Sequence, residues 1–163
     1  MAVKRPAALV ALILTGSAAA AGASSGTTAA VRDCTPTEAQ QLVVDFTVAF
    51  NAGNTRRLNR IFAKEPAFEW YSAGKPGDRA GREARNRSTL MRYFRARHRQ
   101  HERLQFVWMG GGNAYGLFQF PFHLVRQARN LPAAVHEGKG AILCTTRSVT
   151  IVVWSWGPPV TPP

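Results

Sequence analysis

Cysteine and ready-made catalytic motifs are scarce in this chain of 163 residues. Its two cysteines, Cys34 and Cys144, are too far apart for the closely spaced pairs that bind structural zinc. No histidine pair has metal-binding spacing and no serine lies in a nucleophile elbow. "GGGN" and "GKG" lack the strand–loop–helix context of a phosphate-binding loop and are interpreted as turns. The sequence therefore predicts neither a metal site nor a cofactor.

A membrane-spanning hydrophobic run is also missing at the start, where the apolar segment 7–14 is too short to cross a bilayer. It follows two basic residues and precedes small residues, with cleavage expected after Ala20 or Ala23. This layout is typical of a secretory signal peptide. We therefore expect residues 1–23 to be removed and the protein to be secreted or held in the cell envelope or periplasm, a retained anchor being the alternative.

Acidic residues are outnumbered, with 9 Asp and Glu against 21 Lys and Arg and a net charge of +12. Lys4 and Arg5 account for two of the 21, so 19 remain against 9 acids after signal cleavage, a net charge of +10. Such an excess suits polyanions, among them anionic envelope polymers and acidic lipid. Nucleic acid is the least expected partner of an exported chain, and no RNA-binding aromatic motif or zinc finger is present.

The mature chain is predicted to form one domain, 34–157, between a disordered lead-in, 24–33, and a Pro-rich tail, 158–163. In an oxidising compartment the even cysteine count favours pairing of Cys34 with Cys144. The bridge would close a loop of roughly 110 residues, for which chain entropy gives at most about 4–5 kcal/mol. Two free buried thiols are the alternative.

Hydrophobic periodicity predicts three helices followed by strands that return as a meander, an α+β fold with helices covering one curved antiparallel sheet. Thr35 and Glu38 form a predicted capping box at the first helix, and Gly53 is expected to end it. The predicted helices cover 36–52, a shorter segment after residue 54, and a third from 86 or 88 to about 100–103; the strands cover 68–72, 104–109, 114–125, 138–146 and 148–157, with loops at 73–85 and 127–138.

The basic stretch "RYFRARHRQHERL", residues 92–104, is divided by helical geometry into two faces. At about 100° per residue, one set of arginines falls opposite the apolar stripe of Leu90 and Phe94. These side chains are predicted to be solvated, with a specific anionic partner as the alternative. The set comprises Arg92, Arg95, Arg99 and Arg103.

Arg97 and His101 fall inside the apolar stripe instead. A buried arginine must be paired or must face a wet cavity, because an isolated charge is very costly in an apolar interior. Glu69 and Asp45 are the candidate carboxylate partners. Two interpretations stay open: an ion pair that closes the helix onto the sheet, or a pocket lined by the two side chains.

Three segments together resemble the nuclear transport factor 2-like superfamily, of the SnoaL-like kind. They are "VVDFTVAFNAGNTRRLNRIFA", the aromatic strand "FEWYS" and "STLMRYFRARH". The resemblance covers about residues 36–156. It implies a cone-shaped, cystatin-like α+β barrel of three helices on a strongly bent sheet, with a pocket inside the open end and frequent homodimers through the outer sheet face.

The pocket implied by this resemblance leads to our first functional hypothesis, the binding of a small, largely apolar molecule without assured catalysis. The hypothesis is founded on the export signal, on the coverage of the resemblance, and on Arg97 with His101 within an apolar face. The other side chains predicted to contact the ligand are Trp70, Tyr71, Trp108 and His123.

Two further hypotheses use other residues. As a SnoaL-like lyase, isomerase or hydrolase, the protein would use His101 as a general base with Glu69 or Asp45. The late-strand aspartate of steroid-isomerase-like members has no counterpart here, because Glu137 is the one acid within 104–156. As an envelope interaction module, it would bind anionic polymers through the exposed arginine face.

Overall fold

In a computed structural model, the structure describes residues 29–64, 68–72, 81–84, 86–129 and 131–160. These residues form three helices and eight strands, which confirms the predicted α+β class. The elements in chain order are β1 (Val31–Arg32), α1 (Pro36–Asn51), α2 (Thr55–Ile61), β2 (Glu69–Ser72), β3 (Gly81–Ala84), α3 (Arg87–Arg99), β4 (Arg103–Met109), β5 (Gly112–Ala114), β6 (Leu117–Ala128), β7 (Leu131–Thr145) and β8 (Val149–Pro159). The predicted signal peptide and its cleavage sites lie outside the described residues.

Helix α1 begins with the predicted capping box. The Glu38 N–H donates to Thr35 Oγ1 at 3.2 Å, and the Thr35 N–H donates to the Glu38 carboxylate at 2.9 Å. Arg32 adds an ion pair at 2.6 Å. Its hydrogen bond, followed by those from Thr35, lowers the pKa of Glu38 to about 2. Gly53, at φ 63°, ends the helical region in the left-handed conformation that glycine adopts without strain.

The sheet has the order β3-β2-β8-β7-β6-β4, and its last four strands form the predicted meander. Pairing is antiparallel except between β2 and β8, which run parallel. Strand β1 pairs with β7 and strand β5 with β6. The helices cover one face of this sheet and form an α+β cone with it.

Two segments predicted as loops are strands. The predicted loop 127–138 belongs largely to β7, which pairs with β6 as far as the contact of Leu131 with Ala128. The predicted loop 73–85 contains β3, which pairs with β2. In both cases a neighbouring strand supplies hydrogen bonds that override the polar or Gly-rich local composition.

The ends of the domain are also more regular than predicted. Val31 and Arg32, within the predicted disordered lead-in, pair with Thr145 and Cys144 of β7. Strand β8 continues into the predicted Pro-rich tail as far as Pro159. The Val160 N–H then donates to the Val135 carbonyl at 2.8 Å. Both ends are held because β7 offers backbone partners to each of them.

The disulfide between Cys34 and Cys144 is confirmed, with 5.4 Å between the Cα atoms. It fastens the start of the domain to β7. Asn113 of β5 holds the same point, because its amide accepts from the Cys34 N–H at 3.0 Å and donates to the Cys34 carbonyl at 2.9 Å. A disulfide is compatible with an extracytoplasmic protein. None of the described helices combines the length and apolar character needed to cross a bilayer.

An aromatic core fills the space between the helices and the sheet. Phe122 stacks on Trp154 with 4.2 Å between ring centroids, and Phe46 of α1 contacts the same tryptophan at 4.6 Å. Glycines of "GKG" make room for the rings. A Cβ on Gly138 would lie 2.1 Å from the Phe122 ring, and one on Gly140 would lie 2.3 Å from Phe120. This segment therefore lies in the middle of β7 and serves packing, although its glycines suggested a turn.

Gly140→Ala is expected to lower the free energy of unfolding by about 1–3 kcal/mol, because the added methyl group meets the buried Phe120 ring. Urea denaturation of the oxidised protein measures this loss. Gly112→Ala is the matched control, since a Cβ there meets nothing within 4 Å. Its effect should stay within about 0.5 kcal/mol. Equal losses in the two variants would contradict the packing role of Gly140.

Candidate functional site

A buried ion-pair network joins α3 to the sheet. Glu102 is fully buried and receives Arg97 from α3 on one carboxylate oxygen. Arg126 of β6, also fully buried, contacts the other oxygen through Nε and Nη2, each at 2.8 Å. Arg97 also donates to Gln100 at 2.5 Å. One carboxylate thus faces two guanidinium groups at the helix–sheet junction, and the network keeps one net positive charge.

The burial of Arg97 was predicted correctly, but its carboxylate partner is Glu102 rather than Asp45. Asp45 instead pairs with Arg57 of α2 at 2.8 Å. The Glu69 side chain lies outside the described residues. The actual partner, Glu102, was missed although it is the one acid in the basic stretch 92–104. A single acidic residue among so many basic ones was the signal in the sequence that could have identified the partner of Arg97. The arrangement agrees with an ion pair closing the helix onto the sheet.

The inward orientation predicted for His101 is wrong. Helix α3 ends at Arg99, so the helical angle no longer applies two residues later. His101 has φ 57°, is exposed, and accepts from Arg129 Nη2 through Nε2 at 2.6 Å. Its described contact is therefore with an arginine, whereas Asp45 contacts Arg57. The structure does not bring the predicted His101–Asp45 pair together.

His136 is a buried polar group that the sequence did not indicate, because it fell in a predicted loop. It is fully buried on β7, and its Nδ1–H donates to the Gly157 carbonyl at 3.0 Å. Nε2 is buried and has no hydrogen-bond partner among the described residues. Burial is the main effect that lowers the pKa of His136, and the positive charge of Arg126 lowers it further. The ring is therefore neutral in the folded protein near pH 7.

The largest cavity among those described, of about 550 Å³, is a groove on the sheet face that points away from the helices. Strand pairing places Trp108, His123 and Glu137 in one row across β4, β6 and β7. We name this cavity the outer groove. Its lining residues are Trp108, Pro121, Phe122, His123, Glu137, Gly138, Lys139, Ser155 and Gly157.

The outer groove has an apolar side and a polar side. Trp108 is 48% exposed, and its ring lies 5.4 Å from that of His123. His123 Nε2 lies 3.4 Å from a Glu137 carboxylate oxygen, within ion-pair distance when the imidazole is protonated. Lys139 and Ser155 face each other in the neighbouring row. The groove can thus hold an apolar body against Trp108 and meet a polar end with charged groups.

Two of the predicted ligand-contacting residues, Trp108 and His123, are brought together in this way, although on the outer face rather than inside the cone. Trp70 and Tyr71 lie in β2, and their side chains are outside the described residues. Neither Arg97 nor His101 lines any of the four cavities whose surroundings the structure describes. Within the described ranges there is no group of three or more residues suited to a metal ion.

Solved structures with the same architecture show which fold the chain has. A candidate dehydratase of the NTF2-like family from Streptomyces avermitilis aligns with a TM-score of 0.61 and 11% identity, over 77% of this chain and 96% of that chain. A protein with a cystatin-like fold from Caulobacter vibrioides gives 0.60 and 16%, over 76% and 88%. An NTF2-like protein from Pseudomonas putida gives 0.59 and 9%, over 77% and 87%.

The chain therefore has the NTF2-like, cystatin-like fold, as the resemblance in its sequence predicted. Comparison of the sequence with protein-family models gives no match, and comparison with curated proteins gives none either. Because the structural matches share so little sequence, they establish the fold alone, and function has to be argued from the residues of this chain.

The stability of the protein is expected to fall below about pH 6.5 because of His136. Burial lowers the pKa of this histidine in the folded state, whereas the unfolded chain takes up a proton near pH 6.5. The stability associated with neutral His136 is therefore fully present above that pH, and it is lost progressively as the pH falls. Urea denaturation at about pH 7.5 and about pH 5 measures the difference in free energy of unfolding.

His136→Asn separates this effect from other titrations, because asparagine keeps a donor for the Gly157 carbonyl and carries no titrating ring. The variant should lose less stability between the two pH values than the unchanged protein. His101→Asn is the matched control, since asparagine tolerates the left-handed backbone at that exposed position. If His136→Asn declines as steeply as His101→Asn, His136 is not the source.

Proposed function

We propose that the protein is exported and binds a small, largely apolar molecule in the outer groove. The observation that carries the proposal is a cavity of about 550 Å³ beside a tryptophan that is 48% exposed. Ligand pockets typically range from about 300 to 1,000 Å³ and combine apolar walls with a few polar groups. An exposed tryptophan on a sheet is otherwise a cost in water, which a bound apolar molecule would remove.

The chemistry of the walls narrows the class of ligand. Trp108 and Pro121 offer apolar surfaces to a ligand, whereas the Phe122 ring is fully buried behind the groove. Lys139 offers a positive charge at the other side. These features favour a flat apolar body that carries one acidic or hydrogen-bond-accepting group.

The outer groove supports this proposal better than the interior of the cone. Trp154, Trp156 and Phe122 are almost fully buried there, and the guanidinium of Arg126 lies 4.2 Å from the centre of the Trp156 ring. Arg97 is engaged by Glu102 rather than free to meet a ligand. A ligand inside the cone would have to displace these contacts.

Catalysis is not part of the proposal. His101, the predicted general base, is exposed and contacts Arg129. Within the described part of the chain, His123 and Glu137 are the histidine and carboxylate in ion-pair contact. They lie 3.4 Å apart and both line the outer groove beside Trp108. We assign the pair to ligand binding.

Export supports this reading of the site, since an apolar groove open to the outside would meet molecules from the surroundings. N-terminal sequencing of protein recovered outside the cytoplasm tests it. A mature chain that begins at Ala21 or Ser24 would match cleavage after Ala20 or Ala23. A chain that still begins at the initiator end would contradict export by a cleaved signal.

The fluorescent probe anilinonaphthalene sulfonate, an apolar body with one anionic group, is expected to bind the outer groove. Trp108→Ala should weaken its binding about tenfold, equal to about 1.4 kcal/mol, because the apolar wall is lost. Tyr115→Ala is the matched control, since Tyr115 is an aromatic residue, 97% exposed and outside the groove. A fluorescence titration measures both dissociation constants.

Equal affinities in the two variants would place the probe elsewhere and contradict the proposal. A second copy of the chain is the competing occupant, because homodimers through the outer sheet face were expected. Sedimentation of the unchanged protein with increasing probe distinguishes the two. A dimer that persists at saturating probe, together with no effect of Trp108→Ala, would assign the groove to self-association instead.

A further inference from the structure

The four arginines predicted to be solvated on α3 are all exposed, but they do not share one environment. Arg95 and Arg99 line a cleft of about 220 Å³ between α3 and the start of α2. Arg92 does not line it, and Arg103 of β4 donates to the Asn51 carbonyl instead. Two of the four arginines therefore line a concave site, and the other two do not.

A histidine and a glycine complete the basic end of this cleft. His98 lies between the two arginines in sequence and faces the same cleft. Its ring packs on Gly53, where a Cβ would lie 2.6 Å from Nε2. Nδ1 of His98 is buried and has no hydrogen-bond partner among the described residues. Gly53 therefore allows an imidazole to sit where any larger residue would displace it.

The charge in the cleft is uncompensated. No carboxylate lines it, and neither Arg95 nor Arg99 forms an ion pair with any residue that the structure describes. Neighbouring arginines are engaged: Arg57 pairs with Asp45 at 2.8 Å, and Arg87 donates to the Phe62 and Ala63 carbonyls at 2.7 and 2.8 Å. Arg95 and Arg99 thus combine the lack of a described ion pair with a place at the wall of a cavity.

The cleft continues into a second, shallower groove of about 540 Å³ along the same pair of helices. Thr55 and Arg95 belong to both. Beyond them the wall carries amide and hydroxyl groups from Asn59, Asn86 and Ser88. A ligand that occupied both parts would meet Arg95 and Arg99 at one end and, at the other, amide and hydroxyl groups beside Arg87, whose guanidinium donates to backbone carbonyls.

We propose that this helix cleft binds an organic phosphate, with the phosphate between Arg95 and Arg99 and a hydroxylated remainder along Asn59 and Ser88. Guanidinium groups match the geometry of phosphate oxygens and bind them through paired hydrogen bonds. A free polyol phosphate and a polymer with polyol-phosphate repeats share this chemistry. The site is independent of the outer groove, which lies on the opposite face of the sheet from the helices.

The test compares two double variants that remove the same charge. Glycerol 3-phosphate is titrated by calorimetry at low salt into the unchanged protein, Arg95→Ala/Arg99→Ala and Arg92→Ala/Arg147→Ala. The first variant should bind at least tenfold more weakly, and the second within about twofold of the unchanged protein. Arg92 and Arg147 are exposed and line neither part of the cleft, so the second variant reports the effect of net charge alone.

Further ligands identify the source of the phosphate and the role of the groove. Tighter binding of poly(glycerol phosphate) than of the monomer, expressed per repeat, would assign the site to a polymer, and equal binding would assign it to a free organic phosphate. Glycerol should not bind. Inorganic phosphate should bind more weakly than glycerol 3-phosphate, because it has no hydroxylated part to contact Asn59 and Ser88.

Three results would overturn the inference. Equal losses in the two double variants would show attraction by net charge only, and glycerol 3-phosphate that fails to bind the unchanged protein would remove the site altogether. Inorganic phosphate that binds as tightly as the organic phosphate would remove the role of the polar groove. Binding of anilinonaphthalene sulfonate should not change in Arg95→Ala/Arg99→Ala, so failure here is distinguishable from failure of the outer-groove proposal.

Discussion

The carboxylate of Glu102 is the contact through which the helix layer and the sheet are held in register. It receives Arg97 from α3 and Arg126 from β6, and all three side chains are almost fully buried. Removing Glu102 would leave two buried guanidinium groups without their carboxylate, and breaking a buried ion pair in this way costs about 3–5 kcal/mol. Because Arg97 is held inward, helical periodicity forces Arg95 and Arg99 outward. The cleft between α2 and α3 is thus a geometric consequence of the buried pair.

A similar dependence connects the core to the outer groove. Gly138 lacks a side chain because the Phe122 ring occupies the inner side of the sheet at that point, where a Cβ would lie 2.1 Å from it. Because the Phe122 ring is fixed inward in this way, its strand neighbours Pro121 and His123 point to the opposite face, where both line the outer groove. Packing on one face of the sheet therefore shapes a cavity on the other. A close-packed interior transmits such constraints because it contains little free volume.

The sequence predicted those features that depend on local order. Periodicity and caps located α1 and α3, and the expectation of an oxidising compartment led to the Cys34–Cys144 pairing. Prediction from the sequence failed where residues distant along the chain determine the local structure. The first half of β7 has polar local composition, yet β6 supplies its hydrogen bonds. The orientation of His101 was predicted from helical angles, although the helix ends at Arg99. The same assumption of a longer helix is why Glu102, in the turn that follows, was missed. Neither the burial of His136 nor the outer groove could be predicted without the strand register that creates them.

The basic composition of this chain is not one property, because its arginines perform physically different tasks. Arg97 and Arg126 neutralise a buried carboxylate, and Arg87 ties α3 to the backbone that follows α2. None of these contributes a free charge to a partner. Net charge alone would attract any polyanion with little selectivity. Selectivity requires cations that are fixed at a concave surface and not already paired, and among the described arginines Arg95 and Arg99 meet both conditions. Position rather than number therefore decides which arginines can recognise a ligand.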